Sequence, residues 1–303
     1  MAKHFINILD YSSDFLSELI DKAIEDKKIF KRGELPKLLS GKTLAMYFEK
    51  PSLRTRMSFE VAMNHLGGYG MYLTDAEIGL GRREPIKDVA RVVSGMCDGF
   101  VARTFSHQAV EELAEFASVP VINALTDYSH PCQAMADLMT AKEHFDRLAG
   151  LKLTFIGDGN NVARSLAALC ARLKVEFVLA GPEEYHLSDD FVSLLKANEP
   201  QAEFSQVIDP KEAVKDADIV YTDTWISMGQ EQEKQKRIND FKGYQLDMNL
   251  LSVAKPSAIV MHCLPAYRGY EITDDVIESP QSVVFEEAEN RLHFQRTLLA
   301  ELM

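Results

Sequence analysis

The chain has 303 residues, of which 46% are hydrophobic and 26% charged, so it has the composition of a globular protein and enough length for two domains. Its net charge of −13 argues against nucleic acid or an acidic membrane as a partner, and no apolar run reaches the roughly 18 residues of a membrane helix. The N-terminal segment shows no apolar signal core, and the four dispersed cysteines fit neither a disulfide framework nor a zinc pattern. We therefore expect reduced thiols and a cytoplasmic location.

Apolar and β-branched runs alternate with helical patterns along the first half of the chain. The runs predict strands at Thr43–Phe48, Tyr69–Leu73, Gly99–Arg103 and Val119–Ala124. Helical spacing predicts helices at Leu53–Leu66, Ile86–Met96, Gln108–Phe116 and Pro131–Phe145. Repeated strand–helix units of this kind predict a parallel sheet flanked by helices.

The same alternation restarts after Gly150, which predicts a second parallel sheet. Strands are predicted at Lys152–Ile156, Val175–Ala180, Glu203–Val207, Asp218–Thr222, Ala258–Cys263 and Ser282–Phe285. Helices are predicted at Val162–Leu173, Asp189–Ala197, Lys211–Lys215, Asn249–Ala254 and Ala288–Leu302. The polar segment Met228–Gly243 has few apolar residues and predicts a loop or insertion.

A cluster of polar and basic residues begins the first of the predicted helices. Ser52 is a suitable N-cap, which puts Arg54 and Arg56 in the first turn, where cations oppose the positive end of the helix dipole. The arrangement becomes favourable when an anion sits among the backbone N–H groups, the hydroxyls of Ser52 and Thr55, and the Arg54 guanidinium. The alternative is an ordinary helix start whose arginines pair with acids such as Glu49.

His130 and Gln133 open another predicted helix, with Pro131 at its first position, where the missing N–H costs nothing. Because they are three residues apart, His130 and Gln133 can face one spot beyond the end of a strand. They suit a carbonyl or amide better than a metal, since no partner residue has ligand spacing. Arg103 ends a predicted strand and should point into the same crevice. The alternative is a histidine that caps its own helix.

Two further segments follow predicted strands in the second half. Asp223 and Ser227 can hold an ammonium group, and the alternative is an Asx turn or loop cap. Cys263 follows His262 on a predicted strand, where adjacent side chains point to opposite faces, so His262 cannot be the base for Cys263. We therefore expect a non-nucleophilic thiol that lines the site, or plain burial.

A dinucleotide site is a weaker alternative that rests on Gly157–Asn161. This segment follows a predicted strand, but Val162 replaces the third glycine of the fingerprint and no convincing acidic residue closes the next strand. A nicotinamide-dependent oxidoreductase would need both features.

Four elements, in this order, resemble the transcarbamylases over essentially the whole chain. Ser-x-Arg-Thr-Arg at Ser52–Arg56 and His-Pro-x-Gln at His130–Gln133 mark the wider family, while Asp-x-x-x-Ser-Met-Gly at Asp223–Gly229 and His-Cys-Leu-Pro at His262–Pro265 point to its ornithine branch. The resemblance implies a transcarbamylase-like α/β fold of two domains, each a parallel sheet flanked by helices. It implies a carbamoyl-phosphate-binding domain at 1–147, with the C-terminal helix 288–303 packing back on it, and an ornithine-binding domain at 148–287.

The resemblance also implies the reaction, which is carbamoyl transfer from carbamoyl phosphate to the δ-amine of L-ornithine, giving L-citrulline and phosphate without a metal or other cofactor. The implied catalytic residues are Arg54, Arg103, His130 and Cys263. The implied carbamoyl-phosphate-binding residues are Ser52, Leu53, Arg54, Thr55, Arg103, His130, Gln133, Cys263, Leu264 and Arg291. Ornithine would lie on Asn161, Asp223, Ser227 and Met228.

Similar enzymes are homotrimers or multiples of trimers, in which a loop from a neighbouring subunit completes each site. That loop matches Glu77–Glu84 here. Many members have Gln or His at the position of Gly79, and Arg82 or Arg83 is the candidate substitute for that contact. Apart from the oxidoreductase, the open alternatives are a transcarbamylase for putrescine, an acylated ornithine or aspartate, and a catalytically inactive binding subunit.

Overall fold

The structure is a computed structural model that describes residues 4–226, 229 and 231–303. The chain divides into two compact units, the first comprising Met1–Met139 with Glu289–Met303 and the second comprising Thr140–Ala288. Both points of division fall within helices. The boundary predicted at 147/148 lies in the turn after the first of these helices.

The first unit contains a four-stranded parallel sheet. Its strands are β1 Thr43–Phe48, β2 Tyr69–Thr74, β3 Gly99–Arg103 and β4 Val121–Leu125, in the order β2-β1-β3-β4. Its helices are α1 Ser13–Lys31, α2 Leu53–His65, α3 Asp75–Ile78, α4 Ile86–Met96 and α5 His107–Phe116, and α6 Pro131–Phe145 begins here. The central strands β1 and β3 are almost wholly buried, as expected where helices cover both faces of a parallel sheet.

The second unit contains a five-stranded parallel sheet. Its strands are β5 Lys152–Ile156, β6 Glu176–Ala180, β7 Phe204–Val207, β8 Ile219–Thr222 and β9 Ile259–Met261, in the order β7-β6-β5-β8-β9. Its helices are α7 Asn161–Arg172, α8 Asp189–Asn198, α9 Pro210–Val214, α10 Lys234–Asp240, α11 Met248–Leu251 and α12 Asp274–Ile277. The last helix, α13 Val284–Leu302, begins in this unit and ends in the first.

Each unit has its own apolar core. Tyr47 and Phe100 pack in the first core, where helices α4 and α5 cover one face of the sheet. Trp225, Phe241 and Leu250 pack in the second. Burial of one such large side chain stabilises the fold by roughly 1.5–3 kcal/mol. The cores therefore hold the strands, and with them the carboxyl edge of each sheet, in place.

The predicted fold class, two parallel sheets flanked by helices, is confirmed. Five predicted elements have the observed bounds, and they are Thr43–Phe48, Ile86–Met96, Gly99–Arg103, Pro131–Phe145 and Lys152–Ile156. These elements have strong periodicity and clear turn residues at their ends, so local pattern and tertiary environment agree.

Two predictions about the C-terminal half are wrong. Ser282–Phe285 is not a strand, because only Ser282 bridges to Val260 and helix α13 begins at Val284 rather than at 288. The acidic first turn of that helix, with Glu286 and Glu287, suits the positive end of the helix dipole and outweighs the β-propensity of the valines. The segment Met228–Gly243, predicted to be a loop or insertion, is not a simple loop, because it contains α10, which the buried Arg237 anchors.

The ends of the central strands position the candidate site. In the first sheet, Phe48 at the end of β1 pairs with Arg103 at the end of β3. In the second sheet, Ile156 at the end of β5 pairs with Thr222 at the end of β8. Polar residues that follow these positions lie at the carboxyl edges of the sheets, where α/β proteins bind ligands. None of the helices in the described part of the chain combines the length and the apolar character that a membrane crossing requires.

Candidate active site

The start of α2 presents hydroxyl groups and a guanidinium just beyond the end of β1. Ser52 caps the helix by accepting the Thr55 N–H at 3.3 Å, and its Oγ lies 3.1 Å from Thr55 Oγ1. Thr55 is buried and Arg54 is half-buried. The Leu53 side chain is exposed, so a contribution of this residue to ligand binding rests on its backbone N–H in the first helical turn.

Arg56, in the same turn, has a different environment. Its Nε lies 3.0 Å from Glu60 Oε1, and its guanidinium lies 3.8 Å from the centroid of the Tyr72 ring. The expected pairing with an acid therefore applies to Arg56, although the partner is Glu60 rather than Glu49. The Glu49 carboxylate instead accepts the Phe105 N–H at 2.8 Å.

Arg291 connects two of the sequence motifs of the first unit. It is buried on α13, where its Nη1 donates to Gln133 Oε1 at 2.5 Å and its Nη2 donates to Thr55 Oγ1 at 3.2 Å. Gln133 in turn donates to Asp137 Oδ1 at 2.7 Å. The structure thus brings together Thr55, Gln133 and Arg291, which are far apart in the sequence.

His130 and Arg103 are buried in the same region of the first unit. Burial, followed by the charges of Arg291 and Arg103, holds the pKa of His130 well below its ordinary value. The imidazole is therefore neutral near pH 7 and can donate one hydrogen bond and accept another. A neutral histidine within the electrostatic influence of two guanidinium groups suits the carbonyl oxygen of a ligand whose other end is anionic.

Two buried charged residues in this region were not among the predicted site residues. Asp137 is fully buried on α6, and its spacing of four from Gln133 on one helix was the signal for it. Lys50 is the second residue after the end of β1 and is buried, with Nζ 3.9 Å from the centroid of the Phe105 ring. Burial, and next the charge of Arg103, lowers the pKa of Lys50. Nothing in the sequence marked this residue, because lysines are almost always exposed.

In the second unit, Asp223 joins three segments just beyond the end of β8. Its Oδ2 accepts from Asn160 Nδ2 at 2.8 Å, and its Oδ1 accepts the Thr224 N–H at 2.7 Å. The Cys263 thiol donates to the same Oδ1 at 3.1 Å. Asp223 therefore caps its own loop, as the Asx-turn alternative predicts, and also brings together the ends of β5, β8 and β9.

Cys263 and His262 have separate partners, as strand alternation predicts. The Cys263 thiol faces Asp223, whereas the fully buried His262 ring has Nε2 3.1 Å from Glu271 Oε1 and accepts the Leu264 N–H at Nδ1, at 2.9 Å. Leu264 has φ +55°, a left-handed conformation that costs a non-glycine residue about 1 kcal/mol. His262 is therefore part of the backbone support and not the base for the thiol.

The segment after β5 uses its glycines and N–H groups for packing and capping. Asn160 Oδ1 accepts the N–H groups of Val162 and Ala163 at 2.9 and 3.1 Å, so the cap occupies donors that a pyrophosphate would need. A Cβ on Gly159 would lie 2.7 Å from the Leu187 backbone nitrogen, so the glycine serves close chain packing. The oxidoreductase alternative loses the observation on which it rested.

The remaining predicted ornithine-binding residues are Asn161, Ser227 and Met228. Asn161 is half-buried at the first position of α7. Ser227 and Met228 lie outside the described residues. The segment that leads to them is held at Trp225, whose carbonyl accepts from Nη1 of the buried Arg237 at 3.2 Å.

Asp223, His262 and Cys263 each offer one ligand-type atom, and these atoms lie within 4.8 Å of one another. The Nδ1 lone pair of His262 already accepts the Leu264 N–H, and Nε2 faces Glu271. A thiol and a carboxylate alone fall short of the four ligands typical of zinc. This donor set therefore does not indicate a resident metal.

These arrangements define a class of protein, an α/β enzyme of two units with buried cationic and neutral donors in one unit and a carboxylate–thiol pair in the other. Residues 3–143 match the model of the carbamoyl-P binding domain of aspartate/ornithine carbamoyltransferase, and residues 149–302 match that of its Asp/Orn binding domain. The chain therefore belongs to the aspartate/ornithine carbamoyltransferase family.

Individual relatives are similar over their full length. An ornithine carbamoyltransferase of Methanosarcina mazei is 50% identical over 303 residues, covering 100% of each chain. An anabolic ornithine carbamoyltransferase of Pyrococcus furiosus is 49% identical over 296 residues, covering 96% of this chain and 94% of the relative. A solved structure of ornithine carbamoyltransferase from Pyrococcus furiosus has a TM-score of 0.97 at 47% identity, covering 100% of this chain and 97% of that one.

Proposed function

We propose that this chain transfers the carbamoyl group of carbamoyl phosphate to the δ-amine of L-ornithine, giving L-citrulline and phosphate. The full-length relatives at 50% and 49% identity that are named ornithine carbamoyltransferase support the substrate pair. The single structural observation that carries the proposal is the buried cluster in the first unit, where Arg291 donates to Thr55 and Gln133, and where Arg103 and His130 are also buried.

Carbamoyl phosphate would bind at the start of α2. The phosphate would take the backbone N–H groups and hydroxyls of the first turn together with the guanidinium groups, and the carbonyl oxygen would face His130. The residues proposed for this ligand in the first unit are Ser52, Leu53, Arg54, Thr55, Arg103, His130, Gln133 and Arg291. Their supporting features are the Ser52 cap, the burial of Thr55 and the bonds of Arg291 to Thr55 and Gln133.

Local charge makes this assignment physically reasonable in an acidic protein. The net charge of −13 repels anions at long range, so a phosphate must find a preorganised local cluster. A dianionic phosphate supplies strong bidentate acceptors for guanidinium groups, and these charge-assisted bonds are about twice as strong as neutral ones.

Ornithine would bind in the second unit on Asn161, Asp223, Ser227 and Met228. Asp223 is buried and accepts from Asn160, which fixes one of its oxygens and leaves a carboxylate suited to an ammonium group. Asn160 belongs to this site as the residue that orients Asp223. Cys263 and Leu264 would approach the reacting amine and the carbamoyl amide through the thiol and the backbone.

The reaction proceeds by attack of the neutral δ-amine on the carbonyl carbon, which gives a tetrahedral oxyanion. The C–O bond to phosphate then breaks, and the leaving phosphate takes up the proton that the attacking nitrogen loses. Arg54, Arg103 and His130 would stabilise the negative charge as it develops, and most of the rate enhancement would come from positioning and fixed charge. The Cys263 thiol already donates to Asp223. Its sulfur can therefore accept a hydrogen bond from the amine without offering a proton, which favours the neutral nucleophile.

We also propose a homotrimer, or a multiple of trimers, in which the segment Glu77–Glu84 completes a neighbouring site. Gly79 ends helix α3 with φ +57°, and a Cβ there would lie 2.9 Å from Arg83 Cβ, so the glycine shapes a tight turn. Arg82 forms an ion pair with Asp75 within its own chain, whereas Arg83 Nη1 donates to the neutral carbonyl of Glu77 at 3.1 Å. The charge of Arg83 is not neutralised by that bond, so Arg83 is the better candidate for a contact in trans. The cytoplasmic location stays a prediction from the sequence.

A citrulline assay with carbamoyl phosphate and a panel of amines tests the substrate assignment. Ornithine should be carbamoylated at least about 100-fold more efficiently than putrescine, acetylornithine or aspartate, because a pocket built around buried hydrogen-bonding groups rejects analogues that leave them unpaired. Preference for another amine would reassign the substrate, and absence of product with every amine would favour an inactive binding subunit. Light scattering on the same preparation measures the oligomeric state.

A further inference from the structure

The segment that carries Cys263 and Leu264 has an unusual backbone. Leu264 has φ +55°, a conformation that few non-glycine residues adopt, and it directly follows the residue whose thiol faces Asp223. An isolated chain would leave this conformation, so surrounding groups must stabilise it. The bond that does so runs from the Leu264 N–H to His262 Nδ1, at 2.9 Å.

This bond determines the tautomer of His262. A backbone N–H is always a donor, so Nδ1 must be unprotonated and the ring proton must lie on Nε2. The Nε2–H then donates to Glu271 Oε1, 3.1 Å away, and the same oxygen accepts the Tyr267 N–H. Both His262 and Glu271 are fully buried, so water cannot substitute for either partner.

The backbone of His262 is fixed from the other side. Its N–H donates to Glu287 Oε2 at 2.8 Å, and Glu287 Oε1 accepts the Tyr221 hydroxyl at 3.2 Å. The buried Glu287 side chain thus continues the pairing between β8 and β9 beyond its last pair, Tyr221 with Met261. All of these residues belong to the second unit.

We propose that His262, as the neutral Nε2–H tautomer between Leu264 and Glu271, is a positioning residue for the carbamoyl-transfer step. It holds the Cys263–Leu264 backbone so that the thiol and the carbonyl groups meet the carbamoyl amide and the attacking amine. This inference rests on the proposed function, since it gives a role in that reaction to a residue that touches neither substrate. A protonated or Nδ1–H ring would lose the Leu264 bond and release the loop.

Three variants test the proposal, each measured for kcat, for both KM values and for thermal unfolding. His262→Leu removes both ring nitrogens. His262→Asn retains an acceptor, because an asparagine side chain can accept the N–H two residues ahead in an Asx turn. His293→Leu is the matched control, since His293 is equally buried with its Nε2 3.1 Å from Glu289 Oε1, and it lies in the first unit.

We expect His262→Leu to lower kcat by about 100-fold or more, as for a misplacement of about 1 Å at a reacting group. KM for carbamoyl phosphate should change less than about fivefold, because the phosphate contacts proposed above lie in the first unit. His262→Asn should recover to within about tenfold of wild type, and His293→Leu should stay within about threefold. Equal loss in the leucine and asparagine variants, or wild-type kcat in His262→Leu, would overturn the inference.

The tautomer is measured directly on the wild-type enzyme labelled with ¹⁵N-histidine. One of the eight histidines, identified by its absence from the His262→Asn spectrum, should show a protonated Nε2 and an unprotonated Nδ1. A ring protonated at Nδ1 in an active wild-type enzyme overturns this inference alone, even if His262→Leu does not fold. A wild-type enzyme that forms no citrulline overturns the proposed function instead, and with it the catalytic part of the inference.

Discussion

The two candidate binding regions treat buried charge in opposite ways. In the first unit the buried ionic groups include three cations, Lys50, Arg103 and Arg291, and the carboxylate of Asp137, and Arg291 donates to neutral oxygens of Thr55 and Gln133. In the second unit, donors of the protein already satisfy two buried carboxylates near the strand ends. Asp223 accepts from Asn160, Thr224 and Cys263, and Glu287 of α13 accepts from the His262 N–H and the Tyr221 hydroxyl.

The difference indicates that the carboxyl edges of the two sheets are used in different ways. Excess buried positive charge is stabilised most when an anion binds. Ligand affinity in the first region should therefore depend mainly on charge. Buried carboxylates that already accept hydrogen bonds cost little free energy in the unliganded protein, and they hold neighbouring segments in place. Ligand binding in the second region should therefore depend on the geometry of these segments and on one contact with an ammonium group. The following predictions go from the largest expected effect to the smallest.

Arg54→Gln should have the largest effect, a loss of at least roughly 3 kcal/mol in kcat/KM, as for removal of a preorganised donor to developing negative charge. The matched control is Arg56→Gln in the same helical turn, whose guanidinium pairs with Glu60 and stacks on Tyr72. We expect the control to stay within about threefold of wild type. If steady-state kinetics gave equal losses of kcat/KM in the two variants, the proposed dependence of the first region on the Arg54 charge would be wrong.

Asp223→Asn should raise KM for ornithine by about 30–100-fold, because a charged hydrogen bond to an ammonium group contributes roughly 1.5–3 kcal/mol. KM for carbamoyl phosphate should change little, since this ligand is assigned to the first unit. Asp209→Asn is the control, as Asp209 caps α9 through the Lys211 N–H and asparagine caps equally well. If both KM values rose together in Asp223→Asn, the separation of the two regions would be wrong.

Lys50→Met should raise KM for carbamoyl phosphate by about tenfold, because it removes one buried positive charge near Arg103 while keeping the stem that packs against Phe105. Lys42→Met is the control, since Lys42 precedes the opposite end of β1 and pairs with Asp98. Titration with inorganic phosphate gives the affinity without turnover. Unchanged phosphate affinity in Lys50→Met would restrict Lys50 to a packing role.

The smallest expected effect concerns stability in acid. Burial lowers the pKa of His293 to about 4, against about 6.5 in an unfolded chain, so between these values the unfolded state binds more protons. The His293 contribution to stability is therefore complete above pH 6.5 and is lost as the pH falls toward 4. His293→Leu should flatten the pH dependence of the unfolding free energy by about 1–2 kcal/mol over this range, measured by urea denaturation. Equal slopes in variant and wild type would contradict the burial argument.

Local sequence pattern predicted most of the scaffold, and its failures are instructive. Helix α1, Ser13–Lys31, was not among the predicted elements, although Ser12 caps it and the buried Leu16, Leu19, Ile20 and Ala23 have helical spacing. The cap and the spacing of these apolar residues are sufficient to indicate a helix here. The predicted strand at Ser282–Phe285 failed for another reason, because one residue bridges to β9 before the chain turns into α13.

Helix α10 shows how distant groups decide local structure. Its sequence is polar and suggested a loop, but the buried Arg237 donates to Asp158 Oδ2 at 2.7 Å and to the Trp225 carbonyl at 3.2 Å. Asp158 lies after β5, far from α10 in the sequence. No pattern within residues 228–243 indicates that Arg237 will pair with a carboxylate from the end of β5. Burial raises the pKa of Asp158, and Arg237 opposes that shift.

The sequence by itself determined the alternation of strands and helices, the cap at Ser52, and the motifs that make the family recognisable, because each depends on residues within a few positions of one another. The tertiary structure alone decided that Arg291 reaches Thr55 and Gln133, that Lys50 is buried and that the ring of His262 supports Leu264. The contacts of Arg291 join segments that are far apart in the sequence, and the contact of His262 depends on the orientation of its buried imidazole ring. Chain folding and burial set such arrangements, and local pattern does not encode them.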